Sequence, residues 1–315
     1  MTKSSSRLPS DTFLRRAIWV VLAALVVLIV AFGGYYIWDR YIYLGDQSPL
    51  DLSIRRMEDA VRDDPQNPDL RLALAEAYLR AGRYDDAIDQ AEQIINLYPD
   101  HDGAQWIIGV AYIRQGQTEA ALEPLERFVD LRKDRPMAKM DTALEAAYYF
   151  LGESYMKLGR PEDAIPVLLA ALEITRTDAD ALYQLGLAYQ ATGRHEKALE
   201  SFRKAVRLVP DFAEAYQAMV ESYEALGRDK YVAYARGMAA FSNRDYEQAT
   251  SYLEQATADL PDFAPAFLGL GLTYEKLNRL EEALAAVQQA YELDPNDFAA
   301  QQAVGRIQAT LDAQQ

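Results

Sequence analysis

The sequence predicts an all-α fold: a solenoid of antiparallel helix pairs preceded by a single N-terminal transmembrane helix. Three observations carry this. Tyr78 and Tyr112 stand 34 residues apart, and Tyr155, Tyr189 and Tyr223 continue the same step farther along. Prolines keep the interval too, from Pro65 to Pro99 and from Pro261 to Pro295. Ala17 through Trp38 forms a run of 22 residues without a charge. A fixed period of this length marks stacked helix–turn–helix units, each covering its apolar face only with its neighbours. Such a chain presents a long surface to a partner, which favours binding over catalysis.

Taken in order, residues 1–16 read as a short cytoplasmic tail and 17–38 as the membrane helix. At about 1.5 Å per residue the apolar run spans about 33 Å, enough to cross a hydrocarbon core. A cleavable signal peptide has a shorter apolar stretch, roughly 7–15 residues, and a small-x-small exit that Ala31-Phe32-Gly33 matches poorly. The run therefore reads as an uncleaved signal-anchor. Trp19 sits near one end, and Tyr35, Tyr36, Trp38, Tyr41 and Tyr43 cluster at the other, as an interfacial belt would. Lys3, Arg7, Arg15 and Arg16 precede the run, whereas Asp39, Arg40, Asp46 and Asp51 follow it. The positive side stays cytoplasmic, so the repeats are expected across the membrane, in a bacterium outside the inner membrane. A cytosol-facing organelle anchor is the rival topology. A linker, 39–48, ties the anchor to the repeats within about 33 Å.

Charge is uneven along the chain. Residues 1–40 carry a net +3, which leaves −19 on the remainder of a chain whose net charge is −16. A body this acidic repels a phosphate backbone, so nucleic acid is not an expected partner. Acidity also serves solubility. Cysteine is absent, which removes disulfides, thiolate metal sites and cysteine nucleophiles together.

The repeat lattice is expected over 49–315, in two lobes, 49–227 and 228–315. Leu50–Asn67 reads as the second half of a unit. Full units follow at Pro68–His101, from Asp102, at Glu145–Asp178, at Ala179–Phe212 and at Ala264–Asp297. Each first helix carries a large residue, then a small one, then tyrosine: Leu74-Ala75 with Tyr78, Ile108-Gly109 with Tyr112, Leu151-Gly152 with Tyr155, Leu185-Gly186 with Tyr189 and Leu270-Gly271 with Tyr274. Each second helix answers with alanine, at Ala87, Ala121, Ala164, Ala198 and Ala283. The small residues let the two helices of a hairpin approach, while tyrosines and large residues fill the seams at helical spacing. Gly82, Gly116, Gly159, Gly193, Gly227 and Asn278 suit the left-handed turn that ends a helix. Phe298–Gln315 reads as a lone closing helix, with Ala300, Val304 and Ile307 inward and glutamines outward, the polar face a terminal unit needs.

Two places break the rhythm. About nine extra residues fall around Arg132–Thr142, a locally basic stretch that either touches an anionic partner or is a longer loop. Then Glu214–Leu226 matches a first helix, and Tyr231–Asn243 fits either as its second helix or as the first helix of the next unit. Both readings put Arg236 on the packing face, where it needs a partner or a route to solvent. The superhelix is expected to change direction here.

With these residues in hand, about 265 of the 315 positions resemble the tetratricopeptide repeat family. That resemblance implies a concave groove lined by the second, fifth, ninth, twelfth and thirteenth residues of each unit. The fifth are Leu72, Trp106, Tyr149, Tyr183, Gln217, Tyr234 and Leu268; the ninth are Glu76, Val110, Glu153, Leu187, Glu221, Met238 and Leu272. Arg80, Arg114, Lys157 and Lys276 take the thirteenth. Chaperone-binding members use a lysine–asparagine–arginine clamp for a terminal carboxylate, but Leu72 and Glu76 stand at the matching places. Trp106, Tyr149 and Tyr183 instead resemble anchors for an apolar or helical peptide, although each also suits packing between repeats.

Catalytic and metal signatures are missing. His101 falls at a repeat boundary and His195 in a turn, with no HExxH, GxSxG or phosphate-loop match. No cofactor or metal is expected. The expectation is a non-enzymatic, membrane-anchored scaffold whose extracytoplasmic groove binds a peptide or helix of another protein, as similar bacterial architectures do in envelope assembly, secretion, pilus assembly and cytochrome maturation. The alternatives are a self-assembling structural protein and a cytosol-facing import receptor.

Overall fold

The computed structural model describes the backbone of residues 11–37 and 49–314 and the side chains of 19–36 and 49–314. Residues 1–10, the linker 39–48, and Trp38, Tyr41 and Tyr43 of the expected aromatic belt lie outside the described residues. Among those described, all regular structure is helical, and the chain forms two compact units, Met1–Leu97 and Tyr98–Gln315.

The first unit holds α1 (Asp11–Ile37), α2 (Pro49–Asp63), α3 (Pro68–Arg80) and α4 (Tyr84–Leu97). Helix α1 is long and apolar enough to cross a membrane from Trp19 to Tyr36, and none of that stretch is buried in the protein. In α2–α4, Ile54, Leu74, Ala75, Tyr78, Ala87, Ala91 and Ile94 build a closed core. Asn67 opens α3 by accepting the Asp69 and Leu70 amides, and Pro68 takes the first helical position, where its missing N–H costs nothing.

The second unit runs α5 (Asp102–Gln115), α6 (Thr118–Arg132), α7 (Thr142–Lys157), α8 (Pro161–Ile174), α9 (Ala179–Ala191), α10 (His195–Leu208), α11 (Ala213–Ala225), α12 (Asp229–Ser242), α13 (Tyr246–Asp259), α14 (Ala264–Lys276), α15 (Leu280–Leu293) and α16 (Phe298–Asp312). His195 is thus the first residue of α10 rather than a turn residue. His101 caps α5, its Nδ1 accepting the Ala104 amide.

One contact sets the hairpin geometry. A Cβ on Gly109, Gly152, Gly186, Gly237 or Gly271 would stand only 2.4–2.6 Å from Leu125, Leu168, Phe202, Leu253 or Val287 on the partner helix. Each of those five partners is fully buried. The side chain of the second helix occupies the space that the glycine leaves open, so the pairing register is fixed residue by residue.

Gly237 resolves the half-step. It lies in α12 and receives Leu253 of α13, so α12 and α13 are a hairpin and α12 is a first helix. Its end agrees: Arg244 is left-handed at φ 64°, as Gly159 is at 69°, and the Asp245 amide reaches back to Ala240 as Arg160 does to Tyr155. Helix α11 also ends as a first helix, at Gly227, but Val220 takes the place of the packing glycine. Two first helices therefore follow one another. Helix α12 is enclosed as a result, with Ala233, Tyr234, Ala235, Gly237, Met238, Ala239 and Ala240 all buried. Arg236 does not lie on the packing face. It occupies the one outward strip of α12, exposed, with its guanidinium 2.9 Å from Glu224.

The nine-residue insert closes on itself. Arg132 meets Asp141 at 2.9 Å, Arg135 meets Asp102 at 2.8 Å and Lys133 meets Asp130 at 2.7 Å, around a 3-10 turn at Ala138–Met140. Three of the basic side chains thus satisfy nearby carboxylates, as a structured loop requires. At the far end, α16 buries Ala300, Ala303 and Ile307, leaves Val304 half-buried and turns Gln301, Gln302 and Gln308 to solvent.

Between repeats a second device recurs. Tyr78 Oη donates to Glu58 and Tyr274 Oη to Glu254, each at 2.7 Å and twenty residues upstream. Tyr155 donates to Glu126, twenty-nine upstream, so the insert adds nine residues without disturbing the seam. The guanidiniums of Arg83, Arg160 and Arg279 cover these rings at 4.2, 4.7 and 4.2 Å. Each also holds an acid one turn on: Asp86, Asp163 or Glu282. Where that acid is missing the arginine reaches the other way. Lys197 and Tyr231 stand in its place, and Arg194 and Arg228 instead bind Glu162 and Glu196 of the preceding repeat. Burial first, and then the glutamate hydrogen bond, pushes the Tyr78, Tyr155 and Tyr274 phenols up to about 12, so they remain donors.

Candidate functional site

The expected site residues fall into three groups. In the first unit Leu72 is half-buried on α3, while Glu76 and Arg80 are exposed one turn apart and approach to 3.7 Å. A pair this open contributes a few tenths of a kcal/mol at most. It tunes surface charge more than stability.

In the second unit the rings are half-buried rather than free. Trp106 packs on Phe128 at 5.2 Å and Phe150 at 6.0 Å. Tyr183 packs on Phe212 at 4.9 Å and Phe202 at 5.9 Å. Tyr149 meets Phe150 edge-on at 6.0 Å. Each ring is therefore partly packed against other side chains and partly open. Leu187 is half-buried on α9 one turn after Tyr183, Arg114 is exposed, and exposed Lys157 pairs with half-buried Glu153 at 2.9 Å.

Three expected residues are not on the open face. Val110, Tyr234 and Met238 are buried. Tyr234 stands edge-on to Phe263 at 5.0 Å and Tyr216 at 6.3 Å, and Met238 fills the space over Gly269 of α14. For Tyr234 and Met238 the cause is the doubled first helix: with α11 on one side and α14 on the other, α12 has lost the face that its counterparts expose.

The open face is continuous across α7, α9 and α11. Gln190 of α9 donates to Glu221 at 2.9 Å and to the Ala218 carbonyl at 3.2 Å, both on α11. Carboxylates dominate it. Burial, followed by Glu153, Asp180, Asp178 and Glu145, holds the Tyr149 phenol up at about 12. Burial and then Glu214 and Glu221 raise Tyr183. Glu145 of α7 faces Asp178, which caps α9 by accepting the Asp180 and Ala181 amides. Burial, the hydrogen bond to Asp178 and its charge push the Glu145 carboxyl up to about 7.

Three family models, each described as tetratricopeptide repeat, match residues 50–140, 143–211 and 234–298. The chain belongs to the tetratricopeptide-repeat family. Among solved tetratricopeptide structures, the MamA RS-1 ArsTM double mutant is 23% identical, with a TM-score of 0.50 over 56% of this chain and 95% of its own. A second MamA crystal structure is 25% identical, with a TM-score of 0.47 over 62% and 92%. YrrB, a TPR protein with an unusual peptide-binding site, is 17% identical, with a TM-score of 0.45 over 78% and 96%. No curated protein matches the chain.

Within the tetratricopeptide frame, the acidity of the face comes from the second residues of successive units, Asp180 and Glu214, joined by the ninth residues Glu153 and Glu221 that the resemblance already placed there.

Proposed function

We propose that this tetratricopeptide protein is a membrane-anchored, non-enzymatic scaffold whose repeats lie outside the cytoplasmic membrane and bind a segment of another protein. Arrays of this fold serve protein–protein interaction, and the observation that carries the reading is the first-helix face of α7, α9 and α11. There Tyr149, Tyr183 and Leu187 are held half-exposed by packing beneath them. Rings fixed in this way lose little side-chain entropy on binding, the property that makes aromatic residues interface anchors. The uncovered apolar surface of α1 supports the anchor, and the basic residues before it support a cytoplasmic N-terminus. As part of the same proposal, the doubled first helix at α12 divides the array into lobes at 49–227 and 228–315.

A photocrosslinking side chain placed at Trp106 or Tyr183 in the native membrane should capture a partner protein. Capture only by probes on the second helices would refute the groove reading. A periplasm-dependent reporter fused after Gln315 should be active, and an inactive one would place the repeats in the cytoplasm.

A further inference from the structure

We propose that the face formed by α7, α9 and α11 docks a lysine- or arginine-bearing segment of the partner, its cations lying between the Tyr149 and Tyr183 rings and the carboxylates of Asp180, Glu214 and Glu221. This rests on the scaffold reading and narrows it to one partner chemistry.

Some acids of the turns and second helices have a cation of their own: Asp163 from Arg160, Glu162 from Arg194, Glu196 from Arg228 and Glu282 from Arg279. On the open face only Glu153 has a cation, Lys157. Asp180, Glu214 and Glu221 form no ion pair among the described residues, and Asp180, Glu214, Gln217 and Glu221 are all exposed. An incoming cation therefore finds carboxylates whose charge the protein has not neutralised.

The rings complete the complementarity. A tyrosine face attracts ammonium and guanidinium groups, most strongly where carboxylates stand nearby and solvent is partly excluded. The chain makes the same arrangement internally at its seams, where Arg83, Arg160 and Arg279 each lie over a tyrosine and against an acid. On the open face the ring and the acid are present and the cation is not. Tyr149 and Tyr183 sit at equivalent places in successive units, so a segment running along the face meets them in turn.

The test uses the full-length protein in a non-ionic detergent and two fluorescent synthetic peptides, one alternating lysine with alanine, the other alternating glutamate with alanine. Fluorescence anisotropy should show saturable binding of the lysine peptide and none of its glutamate twin. Raising salt from low to about 0.5 M should weaken binding about tenfold or more, because exposed pairs are screened. The variant D180N/E214Q/E221Q should lose about tenfold in affinity with an unchanged helical signal. Equal binding of the two peptides overturns the proposal, and needs no variant to do so. Unchanged affinity in the folded variant overturns it as well. So does self-association of the chain that the lysine peptide fails to displace, which would assign the face to a second copy. The broader scaffold reading fails separately: a crosslink from Tyr183 to an acidic partner segment sinks only the basic-partner inference, whereas no crosslink from Tyr183 or Trp106 sinks both.

Discussion

Gly237→Ala decides whether α12 is a first helix, and the sign of its effect is the readout. A methyl at Gly237 would lie 2.6 Å from Leu253 Cγ and 2.9 Å from Cδ2, with the Leu253 backbone nitrogen at 3.3 Å. Leu253 cannot retreat. It is fully buried, and on its other side a Cβ at Gly269 of α14 would already stand 3.3 Å from the same Cδ2. The contact strikes the branch carbon near the root of the side chain, so rotating the methyl ends does not relieve it. Overpacking of this kind costs about 1–3 kcal/mol, while replacing a mid-helix glycine with alanine returns about 1 kcal/mol. The net is a destabilisation of up to about 2 kcal/mol. Were α12 instead the second helix of α11, with no close neighbour at Gly237, only the propensity gain would remain and the variant would be more stable. Urea denaturation followed by far-UV circular dichroism gives the sign, and hydrogen exchange over α12–α14 gives the location, which matters because repeat arrays need not unfold in one step. A variant more stable than the parent by about 1 kcal/mol refutes the α12–α13 hairpin. Leu253→Val should recover part of the loss in the double variant, since the two positions share one contact.

Three further outcomes follow from particular contacts. Glu145 has a raised carboxyl, about 7 against an ordinary 4.5, so its protonated form is favoured in the folded state. Its contribution is fully present below pH 4.5 and is lost as pH rises towards 7; Glu145→Gln should therefore flatten the melting-temperature profile across that window, and an unchanged slope would contradict the Glu145–Asp178 contact. Tyr274→Phe removes the phenol donor from Glu254 and should cost about 1 kcal/mol in a denaturant titration, leaving the ring under Arg279 in place. Arg236→Ala should change stability by less than about 0.5 kcal/mol, because its pair with Glu224 is half-exposed on both sides; a loss of several kcal/mol would return Arg236 to the packing face.

The parts of the fold legible in the sequence are those in which one residue type answers one geometric need. Gly152 and Gly186 are glycine because Leu168 and Phe202 occupy the Cβ position, and that necessity repeats every 34 residues. Tyrosine is equally legible, since its length is set by the distance to a glutamate on the preceding second helix. The arginine after each turn was less so. Its partner depends on the residue three places on, an acid in Asp86, Asp163 and Glu282 but Lys197 or Tyr231 elsewhere, and only the three-dimensional stack shows where the displaced arginine goes.

The half-step shows the limit of periodicity as an argument, and why the candidate site was only half visible. A helix period places Tyr234 and Met238 on the face that other first helices expose, because position in the unit was the only criterion. Whether a face is open depends on what lies on both sides of it. Tyr149 and Tyr183 keep an open edge since α7 and α9 are each followed by a second helix that packs behind them. Helix α12 follows α11 with no such helix between, and it must fill both roles, so Tyr234 is drawn in against Phe263 and Tyr216. Val220, in the place where Gly152, Gly186, Gly237 and Gly271 stand in the other hairpins, was the residue that marked the change. The Val220 side chain fills the space that glycine leaves open in those hairpins, and the next glycine in register, Gly237, restarts the pattern seventeen residues on.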